Sequence, residues 1–214
     1  RAAARQLQVY TFQENNNHQT WINAGIASVG FALNDQALID LSITGKFGLY
    51  YQMTNCVTSD GLWREGTMAY QSYAMQPLVM HAEMARKNGR SVHSNEALKS
   101  LFDGPLRSAF PDGSYPIIND SDPFHISSLA DMYEWAYAVY GEPRYGSVAT
   151  LAHRNGQWAW MVGADALPTA GWSLTQGNRN LPGIGYLFLE RTLAGRPASL
   201  VVTVRTTPVV VSSS

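Results

Sequence analysis

The sequence predicts a mainly α chain that ends in the beginning of an antiparallel β unit, and three observations carry the prediction. Apolar residues recur at three- and four-residue spacing, punctuated by Asn, Asp and Gly, through the first 165 residues. Gly, Pro, Asn and Thr then become dense over residues 167–182. Two runs rich in aromatic and β-branched residues follow, at 186–189 and 200–204, with a Gly195-Arg196-Pro197 turn between them. The expected organisation is a helical part over 1–165 and a linker plus the start of an antiparallel β domain over 166–214.

Each helix has its own signal. Ile22, Ile26, Val29 and Leu33 lie on one helical face, and Asn34-Asp35 ends that helix and caps the next, which carries Leu38 and Leu41 and stops near Gly45. A third runs from about Thr67 to Lys87 with Tyr70, Ala74, Leu78 and Ala85 in its stripe; Asn88-Gly89 closes it and Pro77 predicts a kink or a tightened turn. Ser94-Asn95 begins a fourth, with Leu98, Leu101 and Phe102 on one face. Ser127 or Ser128 begins a fifth, bearing Leu129, Met132, Tyr133, Ala136 and Tyr140 and ended by Gly141, and a sixth starts near Ser147. Short connections favour paired antiparallel helices. Two or three strands do not make a stable sheet alone, so they must pack on the helices or belong to a larger sheet.

Composition narrows the function classes. The formal net charge of -1 and the lack of a basic stripe argue against a nucleic-acid partner. No apolar run approaches the about 20 residues of a membrane span, so no membrane partner is expected. Residues 1–8 hold no apolar leader core. The chain begins without Met and ends on Val209-Val210-Val211 and three serines, which reads as a piece of a longer protein. Cys56 is the only cysteine, so no intrachain disulfide forms, and it reads as a small buried residue rather than a nucleophile.

Two stretches concentrate chemistry. Asn15-Asn16-Asn17-His18-Gln19-Thr20-Trp21 sets amides and an imidazole at a helix start, and Asp60-Gly-Leu-Trp63-Arg64-Glu65-Gly-Thr-Met-Ala-Tyr70-Gln-Ser-Tyr73 sets carboxylates, a guanidinium and two phenols at another. An amide, an imidazole and a phenol are the groups needed to remove a proton beside a carboxylate, as in eliminative cleavage of a uronic-acid sugar. Asn17 can donate through its amide and His18 when protonated, to share the carboxylate charge. Tyr70 can act as base if a nearby positive group lowers its pKa, and then return the proton as acid. Arg64 is a candidate carboxylate clamp, Trp21 and Trp63 are candidate stacking platforms, and Glu65 is a candidate orienting group. The scheme requires no metal or organic cofactor.

Together with Pro-Asp-Gly-Ser-Tyr-Pro at 111–116, Asn119-Asp120-Ser121, and Leu-Pro-Gly-Ile-Gly-Tyr at 181–186, these motifs resemble the heparinase II/III and alginate lyase superfamily of polysaccharide lyases, from about Gln13 to Glu190. The resemblance implies an incomplete α/α toroid of antiparallel helix pairs followed by a β-sandwich, β-elimination on an acidic polysaccharide or oligosaccharide, and a secreted or periplasmic location. Carried over residue by residue, it implies catalytic roles for Asn17, His18 and Tyr70, with Tyr73 as the competing tyrosine, and a sugar subsite at Asn119 and Asp120. It also implies a further His from the β-sandwich; no His follows His153, so the chain is expected to stop short of that segment.

Three other readings of the same residues stand beside it. A glycoside hydrolase would pair Asp60 or Glu65 with Asp120 across the glycosidic bond. A non-catalytic carbohydrate-binding fragment would need the aromatic residues but not the tyrosine hydroxyl. Asp120, Asp122 and His125 offer metal donors at close but irregular spacing, against the plainer reading of an Asx-rich loop that caps the following helix.

Overall fold

A computed structural model describes residues 1–10, 16–154, 157–168, 171–174, 177–194 and 196–204. Asn15, Gly195 and the valines at 209–211 lie outside the described residues.

The helices run α1 (Ala2–Val9), α2 (Asn17–Leu33), α3 (Gln36–Thr44), α4 (Leu49–Cys56), α5 (Met68–Lys87), α6 (Glu96–Ser108), α7 (Ala130–Tyr140), α8 (Pro143–Ala149) and α9 (Gln157–Val162). Their ends follow the local chemistry. Asn16, Asp35, Thr67 and Asn95 cap the starts of α2, α3, α5 and α6 with side-chain oxygens. Asn34 and Gly141 close α2 and α7 in the left-handed conformation. Pro77 lies within an uninterrupted α5; its missing N–H leaves the Tyr73 carbonyl without an i→i−4 partner.

Several boundaries differ from expectation. The fifth helix opens with a 3-10 turn, Ile126–Leu129, capped by His125 rather than by a serine. The sixth begins at Pro143, where a proline's fixed φ and absent N–H suit the first helical position, rather than near Ser147. The helices α1, α4 and α9 were not expected. In α1 only Ala4 is buried, so there is no stripe to read, and in α4 the buried face of Leu49, Gln52, Met53 and Cys56 is interrupted by a glutamine.

Strands β1 (Arg179–Leu181), β2 (Tyr186–Leu193) and β3 (Arg196–Thr203) form an antiparallel meander. Phe188 pairs with Arg179 on one side and Val201 on the other. One face turns to the helices: Leu181 and Phe188 join the same buried cluster as Met68, Met75, Leu101, Phe102, Tyr133 and Trp135. On the other face Leu200 and Val202 stay exposed. Arg179 locks the sheet in place. Its guanidinium donates to the Arg107 and Ala109 carbonyls at the end of α6, pairs with Glu190 at 2.6 Å and lies over the Phe188 ring at 4.1 Å. A cation on the C-terminal carbonyls of a helix meets the negative end of its dipole. No helix among the described residues is long and apolar enough to cross a membrane.

Candidate active site

The turn between α4 and α5 organises the site. An antiparallel bridge between Val57 and Trp63 closes it, and Thr67 starts α5 by accepting the Tyr70 N–H at 3.1 Å. Glu65, in this turn, accepts hydrogen bonds from the Asn17 backbone N–H (3.1 Å), the Asn17 side-chain amide (3.0 Å) and the Trp63 indole. A carboxylate at the first residue of α2 also sits at the positive end of that helix. Glu65 therefore stitches the start of α2 to the turn that leads into α5, and brings Asn17-His18 beside the segment carrying Tyr70.

Gly66 is the second anchor. Its carbonyl accepts from the Tyr186 hydroxyl (2.6 Å) and the Asn119 amide (3.2 Å), joining the turn to the sheet and to the 116–125 loop. Its φ of 74° is in the left-handed region, and a Cβ there would lie 3.1 Å from Asn119 Nδ2. Asn119 itself has φ 59°, which turns the chain so that Asp120 meets the Tyr70 hydroxyl: Tyr70 donates to Asp120 Oδ2 at 3.1 Å. That hydrogen bond, then the carboxylate's charge, raises the Tyr70 pKa above its ordinary value. The condition set for Tyr70 as base, a positive neighbour that lowers its pKa, is not what the phenol meets: its hydroxyl faces the carboxylate of Asp120.

The aromatic residues divide. Tyr73, one turn beyond Tyr70, is exposed and packs on Trp21 (5.3 Å between rings) and edge-on to His18 (6.0 Å). His18 is exposed, whereas Asn17 is only 3% exposed and directs its amide N–H groups at Glu65. Trp63 is 1% exposed and its indole N–H is taken by Glu65, so it is a core residue rather than a stacking platform.

Between turn and sheet lies an open cleft of about 270 Å³ lined by Arg64, Glu65, Asn119, Ile184, Tyr186 and Thr203 among others. The 182–185 turn forms its far lip. Asp60, 4% exposed, accepts the Ile184 N–H at 2.9 Å and faces Arg107 at 3.9 Å. A Cβ at Gly183 would lie 2.5 Å from Ser59 Oγ, so the Gly of the Leu-Pro-Gly motif permits this close approach.

Of the carboxylates in the hydrolase reading, two are held in structural bonds, Asp60 buried on Ile184 and Glu65 filled by Asn17 and Trp63, while Asp120 is exposed and accepts from Tyr70. In the loop that offers metal donors, His125 uses one ring nitrogen to cap Ser127 and the other on the Asp112 carbonyl. Among the described residues no group of three His, Cys, Asp or Glu side chains is placed to hold a metal ion. Cys56 is buried, and that burial pushes its thiol up to about 12. Sequence reasoning missed Gly66, Arg179 and Tyr186; a Glu-Gly-Thr turn directly ahead of a helix cap was the available sign for Gly66.

The family profile described as Alginate lyase matches residues 3–108, which contain both motif stretches. An exo-oligoalginate lyase of Saccharophagus degradans is 30% identical over 98 residues, covering 44% of this chain and 12% of that protein. An alginate lyase of Stenotrophomonas maltophilia is 33% identical over 155 residues, covering 67% of this chain and 21% of that protein. The chain thus spans well under a third of the length of these relatives. The crystal structure of heparinase III superposes with a TM-score of 0.69 at 16% identity, over 94% of this chain and 31% of that one. A heparan sulfate lyase, HepC from Pedobacter heparinus, gives 0.63 at 13%, over 94% and 30%. At such identities the likeness is one of fold, and the fold is mainly α: part of an α/α toroid followed by the first strands of an antiparallel sheet.

Proposed function

We propose that this chain, a member of the heparinase II/III and alginate lyase superfamily of polysaccharide lyases, supplies one wall of a cleft that cuts a uronic-acid polysaccharide by β-elimination. The observation that carries the reading is the Glu65 stitch, which holds Asn17-His18 beside the turn leading into Tyr70, a turn whose Arg64, Glu65 and Gly66 line the cleft.

The chemistry follows from the substrate. The C5 proton of a uronate is weakly acidic because the carboxylate resists a second negative charge. Donors must share that charge, a base must take the proton, and an acid must protonate the departing glycosidic oxygen. His18, exposed beside Tyr73, and Arg64 are the groups we assign to the carboxylate. Tyr70 is assigned as the base and, afterwards, the acid. Asn17 presents His18 through its bonds to Glu65; a rotation of its side chain would free an amide N–H for the substrate as well. Trp21 and Tyr73 offer a sugar-stacking face, and Asn119 lines the cleft.

The names of the relatives favour an alginate-type polyuronate as the first substrate to offer. An acidic polysaccharide does not cross a membrane intact, which favours a secreted or periplasmic location for an enzyme that cuts it. The test is the ultraviolet absorbance of the new C4–C5 double bond, measured with polymannuronate, polyguluronate and heparan sulfate. Growth of that signal supports elimination; cleavage of the chains without it points to hydrolysis, and no cleavage on any of them rejects both.

A further inference from the structure

A tyrosine that is to take a proton must first be rid of its own. The Tyr70 hydroxyl spends its hydrogen on Asp120 Oδ2, 3.1 Å away, so the remaining lone pairs of Oη are available to a substrate. The acceptor is well held. Asn119, immediately before it, is bonded to the Gly66 carbonyl, the same oxygen that takes the Tyr186 hydroxyl, and Thr67 fixes the backbone of Tyr70 one turn into α5. Donor and acceptor are thus anchored to the same turn, although they lie 50 residues apart in sequence.

We propose that Asp120 is the proton acceptor that makes Tyr70 a base: as Tyr70 Oη takes the C5 proton of the uronate, its own phenolic proton passes to Asp120 Oδ2. The C5–H bond breaks, its electron pair stays on the sugar as the enolate, and Asp120 becomes a carboxylic acid. When the C4–O bond breaks, the enolate pair forms the C4–C5 double bond, Tyr70 gives a proton to the departing oxygen, and Asp120 returns its proton to Tyr70. Protons and electrons balance with no further reactant. Asp120 acts through Tyr70 and is a positioning residue that never needs to touch the sugar. The inference rests on the lyase reading above.

The arrangement resolves a conflict in the site. An anionic neighbour stabilises the phenol over the phenolate, so a standing phenolate is disfavoured here. A concerted transfer to that same neighbour avoids the phenolate altogether, as a histidine does for a serine nucleophile. The charged groups facing Tyr70 are Asp120 and, farther off, Glu65. Glu65 is filled by Asn17 and Trp63, Arg64 lies in the cleft, and His18 stands on the α2 side against Tyr73.

The decisive variant is Asp120→Asn, which keeps an acceptor oxygen but cannot take a proton. With polyuronate, its kcat near neutral pH should fall by about 100-fold, within the range for a lost general base. The residual rate should then climb with pH, about tenfold per unit, because Tyr70 must now lose its proton to solvent, while the unsubstituted protein stays nearly level. Asp120→Glu should recover much of the loss. A kcat and pH profile like those of the unsubstituted protein in Asp120→Asn would overturn the proposal, and so would a loss with no alkaline rise. A separate readout needs no turnover. In NMR of ring-labelled tyrosine, with Tyr70 assigned through Tyr70→Phe, Tyr70 should ionise at lower pH in Asp120→Asn. Equal ionisation in the two proteins overturns the coupling. Absence of any double-bond signal from the unsubstituted protein, with the NMR shift present, sinks the lyase reading while leaving the pair intact.

Discussion

The two ends of α5 both carry ionisable side chains drawn into hydrogen bonds, yet only one reads as a site. At the C-terminal end Glu83 is buried, clasped by Arg86 through two hydrogen bonds and by the Trp135 indole, with Lys87 at 3.7 Å. Burial alone would raise its carboxyl; the bonds from Arg86 and Trp135 and the nearby cations together hold it below the usual range. Near the middle His81 is enclosed, bonded to Ser42 at 3.3 Å, and burial pushes it down to about 3. At the N-terminal end Tyr70 donates to an exposed Asp120, and the Glu65 and Gly66 turn beside it opens onto the cleft. Among these groups of α5 the largest perturbation, at His81, belongs to the sealed region. A shifted pKa marks a functional site only where substrate can reach the group.

The comparison can be broken most sharply at Tyr70. Tyr70→Phe removes the hydroxyl and should lower turnover by about 1,000-fold or more while circular dichroism and melting stay close to the unsubstituted protein; turnover within a few-fold of normal would remove Tyr70 from the chemistry. Glu65→Ala comes next. It strands the Asn17 N–H, the Asn17 amide and the Trp63 indole, and should cost about 3 kcal/mol of stability as well as most of the activity, read by denaturant titration and initial rates.

His81 tests the sealed region, through pH. Its folded pKa, about 3, lies below the 6.5 of an ordinary histidine. Between those values the unfolded chain binds the proton and the folded chain does not, so this group's effect is to lower stability as pH falls through that window. From pH 7 to pH 4.5, His81→Leu should lose on the order of 2–3 kcal/mol less than the unsubstituted protein, at about 1.4 kcal/mol per pH unit. Parallel losses in the two proteins would contradict a neutral buried His81. Gly66→Ala, back at the open end, should cost about 1–2 kcal/mol because a Cβ is strained at its φ, and should reduce kcat more than its stability loss explains by shifting Asn119 and Asp120. The smallest effect is expected of Lys87→Ala, whose half-exposed ion pair with Glu83 is worth about 0.3 kcal/mol, with kcat unchanged.

Much of the fold was legible because it is local. Asn34 ending α2, Asp35 and Asn95 capping the next helices, and Gly141 closing α7 act within a turn of their own position, and each is where sequence placed it. Pro143 was equally local and was missed, since Glu-Pro reads first as a break and only then as a helix start. The helix α4 was hidden by Gln52, whose amide is buried and bonded to the Phe47 carbonyl, a polar residue standing where a stripe calls for an apolar one. The strands were found from their β-branched and aromatic residues, but β1, three residues long, carries too little pattern to be seen.

Sequence by itself determined the class of the chain and the candidates at its site: the change from helices to strands, the caps at Asn34, Asp35, Asn95 and Gly141, and the presence of Asn17, His18, Tyr70 and their neighbours in motifs of a lyase superfamily. Only the tertiary structure decided what each candidate faces. Trp63 went to the core, Asp60 and Glu65 became struts, and Tyr70 met the carboxylate of Asp120. The physical reason is range. A cap or a stripe is fixed by torsions and neighbours within a few residues, whereas the partner of Tyr70 is 50 residues away and arrives there through the left-handed turn at Asn119 and its bond to the Gly66 carbonyl.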